Sequence, residues 1–127
     1  MKKYTYYLSL LLFVILTACD KDAELEGVAN RQLEVCGVKD PINNLKWLND
    51  QFKLFLGGPL INGIVLYRYK DKEVIEVQNG LASSTNQHQY YCDGEKLNLD
   101  GPGSFAQFKK DREEIAVLYG TNLWGKW

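Results

Sequence analysis

At residue 63 the apolar residues stop recurring every three or four positions and begin to alternate. The stretch GIVLYRYKDKEVIEVQN, residues 63 to 79, has the period of two that sends successive side chains to opposite faces of a β-strand. It commits the chain to a sheet. The expected strands are 63–70 and 73–78, joined at Asp71-Lys72. A two-residue loop there sets Leu66 across from Val77 and Arg68 across from Ile75 on one face. Tyr67 then lies across from Glu76, and Tyr69 across from Val74, on the other. The face that also carries Ile64 is the better core, and the second is aromatic but wetter. Asp-Lys is a poor type I′ turn, so a longer loop with slipped register is the alternative.

Before the hairpin, CGVKDPINNLKWLNDQFKLFL reads as a helix. Gly37 and Pro41 punctuate, Asn43 or Asn44 can cap, and Leu45, Leu48, Phe52 and Phe55 recur at helical spacing, with Trp47 and Leu54 off the stripe. GGPL at 57 to 60 ends it. After the hairpin, NGLASSTNQ is a loop and QHQYYC (87–92) a third strand. DGE then turns the chain into KLNL (96–99) as a fourth strand. Ser104 with Gln107 fits a capping box for one or two helical turns over 104–110. KKDREE (109–114) reads as a solvated bend, and Ile115, Val117 and Tyr119 alternate as a closing strand. The fold class is therefore α+β: an N-terminal helix packed on one face of a mostly antiparallel sheet of about five strands.

The first residues are a different kind of segment. Lys2 and Lys3 precede an apolar run from Leu8 to Leu16, which is the design of a secretory signal and too short to span a bilayer. Leu16-Thr17-Ala18-Cys19 resembles the lipobox of bacterial lipoproteins. The resemblance implies cleavage before Cys19 and a thioether-linked diacylglycerol on its sulfur, with acyl chains binding the protein to a lipid bilayer. The expected organisation is a signal peptide at 1–18, a flexible tether at 19–34 and one domain at 35–127. Acidic residues after Cys19 (DKDAELE) also resemble the surface-export signals of Bacteroidetes lipoproteins. The expected location is the outer membrane, on its periplasmic or cell-surface side.

Removing the leader takes away two lysines and no acid, so the net charge of -1 becomes -3. A nucleic-acid partner is not expected, since binding phosphates requires a basic surface. With Cys19 set aside, Cys36 and Cys92 remain for a compartment in which disulfides persist, and a bridge is the expectation. Two buried free thiols are the alternative, because Cα separation cannot be read from sequence.

VCGVKDPINNLKWLNDQF, LYRYKDKEVIEV and YYCDGEKL together resemble a group of small, mostly uncharacterised Bacteroidetes lipoproteins. That group has a Cys-Gly, an Asn or Asp-Pro segment, a Leu-x-Trp-Leu helix, a Tyr-rich hairpin and a Cys-Asp-Gly turn. The likeness spans roughly residues 35 to 99. It implies secretion and the Cys36–Cys92 pairing, and brings no catalytic residue. The further cysteines that often follow the second strand in those relatives are missing between Asn79 and Asn86.

No catalytic constellation is legible. Ser83, Ser84 and His88 lack a nucleophile context, and Glu73 and Glu76, three apart on a strand, point to opposite faces. There is no C-x-x-C, His88 has no second His, and no nucleotide-binding motif occurs. No metal or cofactor is expected. The chain is expected to be a non-catalytic binding or interaction module for a protein, peptide or glycan. Its candidate surface is Tyr67, Tyr69 and Glu76, with Trp124 and Trp127 as additions; the alternative is that the tail buries this face as a second small core. Alternative functions are a structural or assembly subunit of the cell envelope, and a small protease inhibitor.

Overall fold

The structure is a computed structural model that describes residues 30–125. The signal segment, Cys19 and Trp127 lie outside the described residues. The fold is α+β, with a four-stranded antiparallel sheet and a separate two-stranded ribbon. The ribbon is β1 (Glu34–Val35) and β2 (Val38–Lys39), and two helices follow, α1 (Pro41–Asn44) and α2 (Lys46–Lys53). β3 (Asn62–Tyr69), β4 (Lys72–Asn79), β5 (Gln89–Tyr91) and β6 (Glu113–Gly120) form the sheet, with α3 (Ser104–Asp111) before β6. The strand order is β5-β4-β3-β6.

The hairpin lies one turn position earlier than expected. Tyr69 pairs with Lys72, Leu66 with Ile75 and Tyr67 with Val74, so the loop is Lys70-Asp71. Both loop residues have positive φ, 49° and 62°, the conformation of a type I′ turn, whose twist matches that of the flanking strands. The pairing differs by two residues from the expected one. A shift of two leaves every side chain on its expected face.

Each face of the sheet is covered. On one, Ile64, Leu66, Ile75 and Val77 pack with Leu48 of α2, Ile42 of α1 and Val35 of β1, and with the partly buried Phe52 and Phe55. On the other, Val65, Tyr67, Tyr69 and Val74 pack with Phe108 of α3 and Leu99. Phe108 meets Tyr67 and Tyr69 edge-on at 6.1 and 5.0 Å between ring centroids, the arrangement that ring quadrupoles favour.

Several local expectations are corrected. The helix begins at Pro41, whose locked φ suits the first helical position, rather than at Asn43 or Asn44. It is interrupted at Leu45, which is extended (φ -93°, ψ 109°), where the Asn44 side chain turns back to donate to the Lys39 carbonyl at 2.6 Å. Residues 96–99 are not a strand: Lys96 alone bridges Tyr90, and the Asn98 side chain accepts from the Asp100 amide in a local turn. Gly103, not Ser104, sits at the cap of α3, and Gln107 bonds Asp111 instead of closing a capping box. The 109–114 segment is not a bend, because α3 runs to Asp111 and β6 starts at Glu113.

β6 needs eight residues to pair with six of β3. Leu118 and Ile115 are the extra residues of two bulges, which is why Leu118 and its neighbour Tyr119 are both buried in the first layer. The domain also begins before residue 35. The Asn30 amide donates to the Leu118 carbonyl at 3.0 Å, and the Asp40 amide to the Arg31 carbonyl at 3.2 Å, so residues 30–34 of the expected tether are docked.

Candidate functional site

The end of the sheet at which β4 begins is cross-linked and charged. Cys36-Gly37 forms the tight turn between β1 and β2, with φ of 55° and 78°, and this turn carries Cys36 to the end of β5. There it is bonded to Cys92, with S–S at 2.05 Å and Cα atoms 5.4 Å apart. The two free thiols considered as the alternative are therefore not the state observed. Glu73 stands beside the bridge: its Oε2 accepts the Cys36 amide at 2.7 Å and lies 3.5 Å from Cys92 Sγ. The Trp47 indole donates to the Cys92 carbonyl at 2.9 Å, tying α2 to the same corner. Ligand atoms of Cys36, Glu73 and Cys92 lie within 4.8 Å of one another. Bonded to each other, however, the sulfurs carry no thiolate charge to offer a metal.

Against this corner lies an open cleft of about 690 Å³ lined by Lys72, Glu73, Tyr91, Cys92, Asp93 and Glu95. Lys72 Nζ sits 5.2 Å from the centre of the Tyr91 ring. Three carboxylates, one ammonium and a half-exposed phenol give the cleft groups for hydrogen bonding and ion pairing with a polar partner.

The face expected to bind, Tyr67, Tyr69 and Glu76, is interior. Tyr67 is 2% exposed, Tyr69 7% and Glu76 0%, because α3 and the C-terminal turn cover them. This is the second small core weighed against a binding surface, and it offers no flat aromatic area to a partner. Its polar groups are internally satisfied. The Glu76 carboxylate accepts from Arg112 at 3.0 Å and from Gln78 and Gln89 at 2.7 Å each. Arg112 also donates to the Trp124 carbonyl at 3.0 Å, and its guanidinium stacks 4.2 Å from the centre of the Tyr67 ring. Asn122 donates to the Tyr67 hydroxyl at 2.8 Å. Burial, reinforced by the Glu76 charge, pushes the Tyr67 phenol up to about 12. Trp124 is 9% exposed, its ring beside that of His88.

Glu73 and Glu76 do lie on opposite faces, one at the disulfide and one with Arg112. The Ser84 hydroxyl donates to Asn86, and the His88 ring packs 5.6 Å from Trp124. Desolvation lowers the His88 pKa, against a hydrogen bond to the Ser84 backbone that raises it.

The opposite end of the sheet is different in kind. Leu54, Leu56, Leu60 and Leu81 are 73 to 84% exposed, and Ile61 joins them at 39%. None of these residues is among those the sequence marks as a candidate surface. The Asn62 side chain donates to the Leu56 and Gly58 carbonyls at 2.9 and 3.1 Å, shaping the 54–61 loop. The Gly80 amide donates to the Ile61 carbonyl at 2.7 Å, which brings Leu81 alongside. A signal for them does exist in the sequence: there is no Asp, Glu, Lys or Arg from residue 54 to 67, from 77 to 92 or from 115 to 125.

Compared with protein-family models, with curated proteins and with solved structures, the chain finds no match.

Proposed function

We propose that this chain is a lipid-anchored extracytoplasmic protein, held to a membrane through Cys19, whose single domain is a non-catalytic interaction module. The observation that carries the reading is the Cys36–Cys92 disulfide. Such bridges belong to oxidising compartments, and the pairing takes up the two cysteines other than Cys19, the residue where the lipobox-like Leu16-Thr17-Ala18-Cys19 calls for acylation. Among the described residues no helix is long and apolar enough to cross a membrane. In this reading the attachment is by acyl chains on Cys19. Two or three such chains hold a small protein durably where one is marginal. The outer membrane, on its periplasmic or cell-surface side, is the location that follows.

The surface offered to a partner is the cleft beside the disulfide rather than the buried tyrosine face. Its mixture of Tyr91, Lys72, Asp93 and Glu95 suits a polar peptide, protein or glycan, and the bridge holds the cleft wall rigid, which reduces the ordering cost of binding.

The test is intact mass spectrometry of the protein extracted from its native membrane without reduction. The expected product starts at Cys19, carries acyl mass on that residue and is two hydrogen atoms lighter than the dithiol form. A product that retains Met1, or one with a bare first thiol, removes the anchor and the proposed location. A photo-crosslinking residue at Tyr91 then reports the partner, and failure to capture anything at that position in intact cells removes the cleft as the contact surface.

A further inference from the structure

We infer that the leucine-bearing end of the domain inserts directly into the lipid surface, as a second contact beside the acyl anchor that orients the domain with its disulfide cleft facing away. The inference rests on the lipid-anchor reading of Cys19 and adds a contact made by the folded domain itself.

Three observations converge on this end. The first is composition arranged by topology. β3 starts, β4 ends, β5 starts and β6 ends at the same edge of the sheet. The charge-free segments 54–61, 80–88 and 121–125 are therefore the connections and tail that meet there. Five of the six large apolar side chains exposed among the described residues lie in two of these segments. Grouping of this kind marks an interaction surface, whereas scattered single exposures do not. Two carboxylates are bonded to these segments: Asp100, tied to Asn86 and Gln87 beside the start of β5, and Glu114, tied to Asn122. Both are exposed and belong to the rim, where a charge stays hydrated.

The second observation is where the anchor-bearing chain enters. Asn30 is bonded to Leu118, two residues before the end of β6, and the chain then runs to Cys36 and Glu73 at the charged end. The described chain thus begins, at Asn30, in the leucine-bearing half. The third is length. Eleven residue steps separate Cys19 from Asn30, a reach of at most roughly 40 Å when fully extended. A surface held this close meets the bilayer at high effective concentration, so even a weak insertion is populated.

A lipid surface fits better than a polar partner because the patch is aliphatic and lacks charge. Interfacial aromatic belts are not required for a loop that only dips into the headgroup and acyl boundary. The charged cleft, at the other end of the strands, is then presented away from the bilayer.

The experiment uses the full acylated chain reconstituted into vesicles of phosphatidylethanolamine with a minority of phosphatidylglycerol, some of them brominated along the acyl chains. Leu60→Trp places a fluorophore in the patch, and Lys110→Trp, in the exposed last turn of α3, is the reference. The added emission of Leu60→Trp is expected to be quenched by brominated lipid, and that of Lys110→Trp to persist. Replacing Leu56 and Leu81 by Ser in the Leu60→Trp chain is expected to weaken the quenching by roughly tenfold. These exposed positions carry no packing, so folding is preserved and circular dichroism confirms it. If the chain floats with the vesicles yet Leu60→Trp is unquenched, the insertion is wrong and the anchor stands. Insertion is equally overturned if bromine has no effect and the chain sediments as a dimer, because a second copy then covers the patch. If intact mass shows Cys19 unacylated, the anchor reading fails. The unacylated chain added to the same vesicles then decides insertion alone, with quenching supporting it and persistent emission overturning it.

Discussion

Glu76 and Arg112 meet at 3.0 Å with side-chain exposures of 0% and 6%, joining the centre of β4 to the residue between α3 and β6. Each has further partners. The carboxylate takes Gln78 and Gln89, and the guanidinium takes the Trp124 carbonyl. The pair thus couples the sheet to the C-terminal turn that seals the second core layer. Such a group is structural, and its removal is read in folding before anything else.

Glu76→Ala is expected to destabilise the domain by about 3–5 kcal/mol, because it leaves the Arg112 charge buried without its counterion. Urea unfolding measures the loss. A domain that keeps its full stability after this substitution contradicts the buried network.

Breaking the Cys36–Cys92 bridge frees a loop with a sequence separation of 56 residues. The loss of stability is about 4 kcal/mol by the chain-entropy relation, large against the few kcal/mol that hold a domain of this size. Thermal melts with and without a reductant check it. Cys36→Ser with Cys92→Ser is expected to reproduce the reduced melting temperature.

The hairpin turn carries two non-glycine residues at positive φ, Lys70 and Asp71. Each bears a conformational cost that Asn and Gly avoid. Lys70→Asn with Asp71→Gly is expected to raise stability by about 1 kcal/mol. A loss of stability in guanidinium unfolding would place the turn elsewhere.

Tyr67 binds its proton more tightly in the folded state, since its pKa is raised from 10.0 to about 12. The associated stability is fully present below pH 10.0 and is lost as pH rises from there through about 12. Tyr67→Phe is expected to flatten this alkaline loss. Melting temperatures across the range decide it, and an unchanged slope in the Phe variant rules Tyr67 out as its source.

His88 runs the other way. Its pKa is lowered by desolvation, so its contribution is present above the ordinary value of 6.5 and declines as pH falls below it. His88→Gln is expected to remove a small acid-side drop in melting temperature, and persistence of that drop assigns it to the carboxylates instead.

The alternation in 63–79 is strong enough that sequence alone names both strands and sorts Ile64, Leu66, Ile75 and Val77 from Tyr67, Tyr69 and Glu76. The period of two is a local property of the backbone. Register is not local in the same way: it follows from the turn, and Lys70-Asp71 adopts left-handed geometry that its residue types do not advertise. The extra residues of β6 were equally hidden, because a bulge exists only relative to the strand it pairs with.

What covers a face was beyond sequence for a related reason. Tyr67 and Glu76 become interior only because Arg112, Asn122 and Trp124, some 36 to 57 positions further along, fold back over them. Leu56, Leu60 and Leu81 look like ordinary loop residues until antiparallel pairing brings the ends of four strands to one edge. The chain's own pattern determined the α+β class and the two faces of the hairpin. Tertiary structure decided which surfaces remain in contact with water, since exposure depends on segments distant in sequence and no window along the chain contains them all.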